Sequence, residues 1–218
     1  MGYDEEYEEL LANAKASPES VDFEELRLAY AKSSHYFPYA VPSGDLYASV
    51  DVSSGTDGEA ALSAVRQRLE SNYVDIQAHL LAASVYGRIG EIERAKYHYV
   101  FGERLVRSIL ESGDGRTRQT AFTVISVAEE YAVLGFLGLE PGDQAFWKDK
   151  EHDFDEMQVL HPPTGMASTW YFNIDVPQRW YRRRMDEDPE ALLAAFNAAI
   201  GQAGDKVSKP NKRWQFGR

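Results

Sequence analysis

Several places in the sequence gather side chains capable of chemistry. Glu129 and Glu130 are adjacent carboxylates. A general acid–base pair must face one substrate, whereas consecutive helical residues point about 100° apart. Ser126 with Glu129 three residues on instead fits a capping box, in which both side chains satisfy backbone N–H groups at a helix start. His152, Asp153 and Asp155 offer metal-capable atoms within four residues. Zinc needs a third or fourth ligand in good geometry, and the same residues in a hairpin turn are ordinary solvated turn formers. His161, beside Pro162-Pro163, reads as a strand-end residue. Ser112-Gly113-Asp114-Gly115 with Arg116 and Arg118 resembles a phosphate cradle. It follows a helix rather than preceding one, and Asp114 opposes an anion, so a helix C-terminus is the simpler reading.

Two aromatic clusters point to recognition rather than catalysis. Arg179, Trp180, Tyr181, Arg182, Arg183 and Arg184 form the densest basic and aromatic run. Guanidinium and indole groups are favoured at protein interfaces, and the same composition can meet nucleic acid. The competing reading turns Trp180 inward and pairs the arginines with nearby carboxylates. The loop carrying His35, Tyr36, Phe37, Tyr39 and Tyr47 either exposes a partner anchor or packs down its own insertion. The candidate partner-binding residues are therefore Tyr36, Phe37, Tyr39, Arg179, Trp180 and Arg183; no catalytic residue, metal ligand or cofactor is assigned.

Composition narrows the classes. The chain has 218 residues, no cysteine, and 35 acidic against 23 basic side chains, for a formal net charge of -12. Apolar residues make up 44% and aromatics 12%, enough for a core. Without cysteine there is no disulfide framework, thiolate zinc site or cysteine nucleophile. The negative balance argues against general nucleic-acid binding, and no run is long and apolar enough for a membrane helix. A G-x-S-x-G elbow, an H-E-x-x-H pair, a Walker loop and a dinucleotide fingerprint are all missing. The start, Met1-Gly2-Tyr3-Asp4-Glu5-Glu6, lacks the basic and apolar regions of a secretory signal. The compartment is cytoplasmic if Met1 is the native start and periplasmic if a signal preceded it.

Periodicity supplies the elements that must position these residues. Helices are expected over 3–15, 22–32, 58–72, 75–88 and 91–111, the second begun by Asp22 as N-cap. A long loop, 35–57, separates the second and third. Ala83, Tyr86, Gly90, Ala95 and Tyr99 resemble one tetratricopeptide repeat, with small residues at a helix crossing and glycine at the turn. Tyr86 lies 56 residues after Tyr30 rather than one 34-residue period, so the loop behaves as an insertion of about 22 residues. Beyond Gly115 the pattern changes. Strands are expected over 120–126, 144–150, 155–160 and 168–176, with a helix over 127–137, another over 178–185, and a last one opened by Asp188-Pro189. The fold class is α+β: antiparallel, tetratricopeptide-like helix pairs packed on a small antiparallel meander, with an extra C-terminal helix. The divisions are 1–115 helical, 116–185 sheet with one helix, 186–205 C-terminal helix and 206–218 a basic, flexible tail.

The segments VDFEELRLAYAKS (21–33), SILESGDG (108–115), AFTVISVAEEYAVL (121–134) and TWYFNIDVP (169–177), with the helix pair around 75–95, carry a family resemblance. The chain resembles an uncharacterised bacterial family defined only as a domain of unknown function, over roughly residues 5–185. That resemblance implies repeat-like helices followed by a β-rich part. It implies no activity and no site residues. The expected function is a non-enzymatic protein-binding module, for example an immunity or chaperone-like protein whose acidic surface steers it to a basic protein partner. The alternatives are a hydrolase-like enzyme using His152, Asp153 or Glu130, and a cell-envelope protein.

Overall fold

The computed structural model describes residues 2–39 and 58–202. The expectations for Tyr47, the rest of the long loop and the basic tail lie outside the described residues.

The N-terminal half is helical. Helix α1 (Tyr3–Ala16) gathers Asp4, Glu5 and Glu6 in its first turn, where the helix dipole favours negative charge. Helix α2 (Phe23–Lys32) starts where Asp22 Oδ1 accepts from the backbone N–H groups of Glu24 (2.8 Å) and Glu25 (3.1 Å). After α3 (Gly58–Ser71), Asp75 accepts from Ala78 N–H at 3.0 Å and opens α4 (Ile76–Arg88). Gly90, at φ 82°, turns the chain into α5 (Ile92–Leu110); an L side chain resists that conformation. Helices α4 and α5 run antiparallel, since Gly87 meets Ala95 at one end and Gly102 meets His79 and Leu80 at the other. Within the expected pattern, Tyr86 is buried, Gly90 makes the turn and Ala95 lies at the crossing, but Ala83 is only half-buried and Tyr99 is exposed. Gly102 takes the tightest crossing position: a Cβ there would sit 3.2 Å from His79 Cβ.

The sheet has the order β1-β4-β3-β2. Strands β2 (Glu140–Lys148), β3 (Asp153–His161) and β4 (Met166–Asn173) form the expected antiparallel meander. The turn at His161 closes through Thr164 and Gly165, whose N–H groups donate to the His161 carbonyl, with Gly165 at φ 66°. The strand expected over 120–126 is instead two residues, β1 (Phe122–Thr123), paired parallel to Phe172 and Asn173. Ala121, Phe122, Val124 and Ile125 are all buried. Their β-branched, apolar character reflects burial between layers, not a half-exposed strand. Helix α6 (Val127–Phe136) follows, capped by Ser126 as expected. Helix α7 (Asp175–Glu187) begins three residues before the expected 178, with Pro177 tolerated in its first turn. Asp188 accepts from Ala191 N–H at 2.9 Å and starts α8 (Pro189–Gln202).

The fold is α+β, with N-terminal helices, a mixed sheet and a C-terminal helix. One core runs from Tyr7, Leu26 and Phe101 through Val133, Met157 and Phe172 to Trp180 and Leu192. A smaller core seals α3 to α4 through Leu62, Val65, Leu81 and Val85.

Candidate functional site

The six recognition candidates converge on α7. Trp180 is 8% exposed and lies at the centre of an aromatic cluster. Tyr36 (6.2 Å), Phe37 (5.4 Å) and Tyr39 (6.2 Å) pack around its indole. Phe196 of α8 closes on Tyr39 at 5.2 Å. Tyr36 and Tyr39 are buried, and their hydroxyls donate to the carbonyls of Ile125 and Pro177. Burial and the nearby Glu129 carboxylate push the Tyr36 hydroxyl well above the ordinary tyrosine range. Tyr36, Phe37 and Tyr39 thus pack the start of the loop onto α7. Tyr36 and Tyr39 support the surface from beneath, while Phe37 is half-buried.

What α7 does display is a cleft of ≈410 Å³ against α2. Leu28, Ala31, Val176 and Trp180 form its apolar walls, and Lys32, Arg179 and Arg183 its basic rim. The Arg179 side chain is 67% exposed and only 3.9 Å from Asp175 Oδ2. Arg183 has no carboxylate within ion-pair distance among the described residues. Leu28, Ala31 and Lys32 were not singled out from the sequence. Their signal is there, an apolar pair three apart followed by lysine, but it reads as one face of α2 until α7 packs beside it.

The remaining chemical candidates resolve into other roles. Glu129 is buried and accepts Arg27 Nε (2.8 Å) and Nη2 (2.7 Å), together with Ile125 N–H (2.8 Å). Arg27 also donates to Ser108 Oγ and the Thr123 carbonyl. This fork joins α2, α5, β1 and α6. The expected capping box is therefore half present: Ser126 caps Glu129 N–H at 3.4 Å, but the carboxylate turns to Arg27 and Ile125 instead of the N-cap. Glu130, also buried, accepts from Gln144 at 2.9 Å.

His152 sits in the β2–β3 turn, where Asp149 Oδ1 accepts its backbone N–H. Its Nδ1 lies 2.6 Å from Asp175 Oδ2, and this bond raises the imidazole above its ordinary range. Asp153 is buried and paired with Arg182, with Lys148 at 3.4 Å. Glu130 reaches the sheet at Gln144, which is four strand residues, or about 13 Å, from Lys148 at the start of that turn. That strand length separates Glu130's contact point from the turn that holds His152. No three His, Asp or Glu side chains among the described residues could together hold a metal ion. The Ser112–Gly115 loop spends its donors internally: Asp114 and Gly115 N–H groups both donate to the Thr120 carbonyl. Arg116 stacks over Trp170 at 4.2 Å, and Arg118 over Trp147 at 3.5 Å.

A second polar cluster had no forewarning in the sequence. His79 is fully buried, stacked on Phe101 at 4.4 Å, with Nε2 2.9 Å from the Tyr73 carbonyl and Nδ1 3.1 Å from Nδ1 of His98. Burial holds His79 down to about 3 and His98 to about 4. The two residues lie 19 apart, a spacing that only the helix crossing makes short.

The family model described as a domain of unknown function (DUF4919) matches residues 7–183. No curated protein matches the chain, and no solved structure does. No helix among the described residues is long and apolar enough to cross a membrane.

Proposed function

The chain belongs to the DUF4919 family, a membership that carries no activity, and we propose that the protein is a non-enzymatic protein-binding module that engages its partner through the α2–α7 cleft. The observation that carries this reading is the cleft itself: apolar walls including Trp180, rimmed by Lys32, Arg179 and Arg183. A buried aromatic beside arginines is the composition favoured at interface centres. Ile89, Ile92 and Tyr99, exposed on the repeat-like α4–α5 pair, add apolar surface of the same kind.

The overall charge of -12 favours a basic partner at long range. Contact is decided within a screening length of about 8 Å, and there Lys32 pairs with Glu6 at 3.8 Å and Arg179 with Asp175 at 3.9 Å, which leaves Arg183 as the rim cation with no carboxylate at ion-pair distance among the described residues. We therefore assign an acidic, partly apolar docking segment to the partner, in an immunity or chaperone-like role. The test is affinity capture with wild type and the R179E/R183E variant, followed by binding measurements on the captured partner. Loss of at least tenfold in affinity on charge reversal supports the reading. Unchanged or tighter binding would overturn the acidic segment, and tighter binding would return the basic partner.

One observation favours the hydrolase-like alternative. In the His152–Asp175 pair the Nδ1–H donates to carboxylate, the arrangement that orients a catalytic imidazole. Hydrolysis of a panel of activated esters by wild type, lost in H152A, would support it; equal rates in the two would end it.

A further inference from the structure

An open cleft of ≈490 Å³ lies between α1, α3 and α5. Its lining includes Glu8 and Lys15 from α1, Arg66 and Glu70 from α3, Tyr73, and His98 from α5. That volume falls in the range of small-molecule sites, about 300–1,000 Å³.

The hydrogen-bond pattern sets the chemistry of its wall. The Tyr73 carbonyl can only accept, so His79 Nε2 carries a proton and donates to it at 2.9 Å. His79 is neutral because it is buried, so its Nδ1 is a lone pair. The 3.1 Å contact then requires His98 Nδ1 to carry the proton and donate. His98, neutral as well, is left with an unprotonated Nε2. No described side chain bonds that atom, and it is not sealed inside the protein. Since Nδ1 points into the buried histidine, Nε2 points outward, into the cleft that His98 lines. A buried residue thus fixes one tautomer of a ligand-facing residue, as partners of metal-bound histidines do.

The rest of the lining carries both signs. Lys15 places its Nζ 4.0 Å from the centroid of the Tyr73 ring, with no carboxylate at ion-pair distance among the described residues. Arg66 is 3.3 Å from Glu59. Glu8 and Glu70 bring negative charge to the same cleft. A neutral imidazole acceptor does not repel an ammonium group, and Lys15 is open to a carboxylate. A single imidazole lone pair with no three-residue donor set does not suit a metal ion.

We propose that this cleft binds a free amino acid, its carboxylate on Lys15 and its ammonium group on His98 Nε2 with help from Glu8 or Glu70. This site is separate from the α2–α7 cleft and stands or falls independently of it. The experiment titrates the full chain, at neutral pH, with each standard L-amino acid to millimolar concentration. It follows the imidazole nitrogen resonances of His98 by NMR and affinity by calorimetry. At least one amino acid is expected to shift Nε2 of His98 and to raise the melting temperature. K15Q is expected to weaken that binding by about tenfold, or ~1.4 kcal/mol. H98F removes the acceptor while keeping a ring against Tyr86, and should abolish the interaction; because it also strands Nδ1 of the buried His79, a lower melting temperature of the free protein is expected with it. If no amino acid moves the His98 resonances, or if K15Q binds as wild type does, the proposal is wrong. If H98F fails to fold, K15Q and the NMR titration still decide.

Discussion

At the residue scale, the group that most constrains the fold is the Arg27–Glu129 pair. Both side chains are buried, and the guanidinium has partners from three other elements. Removing one partner of a buried pair strands the other charge, which costs about 3–5 kcal/mol, while replacing both with apolar groups is often near neutral. We expect Arg27→Met and Glu129→Leu each to lower the urea midpoint sharply and the double variant to recover part of the loss. A double variant weaker than both singles would mean that a stranded charge is not what the single variants cost. The histidines give a pH prediction. His79 titrates near 6.5 when unfolded and about 3 when folded. Between those values the unfolded chain binds more protons, so this contribution to stability is full above pH 6.5 and is lost as pH falls towards 3. Each unit of that window removes up to about 1.4 kcal/mol. Urea midpoints measured between pH 7 and 5, where most carboxylates stay ionised, should fall with pH in wild type and fall less steeply in H79Q, where His98 still contributes in the same direction. These roles were only half legible beforehand. Ser126 and Glu129 announced a helix start by spacing alone, but Glu129's partner stands 102 residues away in Arg27. Local pattern holds no trace of such a distance.

At the element scale, local rules did well wherever an element is made by neighbours in sequence. Asp22, Ser126 and Asp188 all cap the helices their spacing announced, because a cap is a contact over two or three residues. The meander was legible for the same reason: short turns fix the register of adjacent strands. β1 was not, because an alternating apolar run looks alike whether it pairs along its length or threads between two layers. Its parallel pairing with β4 joins residues 50 apart, Phe122 and Phe172. The α4–α5 crossing supplies the test at this scale. Gly102→Ala gains helix propensity of up to about 1 kcal/mol, yet the new Cβ would be 3.2 Å from both His79 Cβ and Leu80 Cδ2. Overpacking of this kind costs about 1–3 kcal/mol. We expect a lower melting temperature for G102A; a higher one would show that the helices can separate without loss.

At the scale of the whole molecule, the segment beyond the family match is part of the core. The model of the family ends at residue 183, but Leu192 of α8 is buried and Phe196 packs on Phe37, Tyr39 and Tyr181. Ending the chain at residue 187 should therefore lower the denaturation midpoint and move the indole N–H resonance of Trp180, which NMR reads apart from those of Trp147 and Trp170. An unmoved Trp180 resonance would mean that Tyr36, Phe37 and Tyr39 shelter the indole alone. Sequence by itself determined the fold class, the capped helices, the three-strand meander and the absence of familiar catalytic motifs, since each depends on spacing within a dozen residues. It also placed Arg179, Trp180 and Arg183 among residues worth watching. Only the tertiary structure decided that Trp180 forms a wall while the arginines form a rim, that α2 supplies the opposite side, and that His79 sets the tautomer of His98. Clefts and buried pairs arise where elements distant in sequence cross, and burial at those crossings decides which polar atoms are spent internally and which are left facing outward.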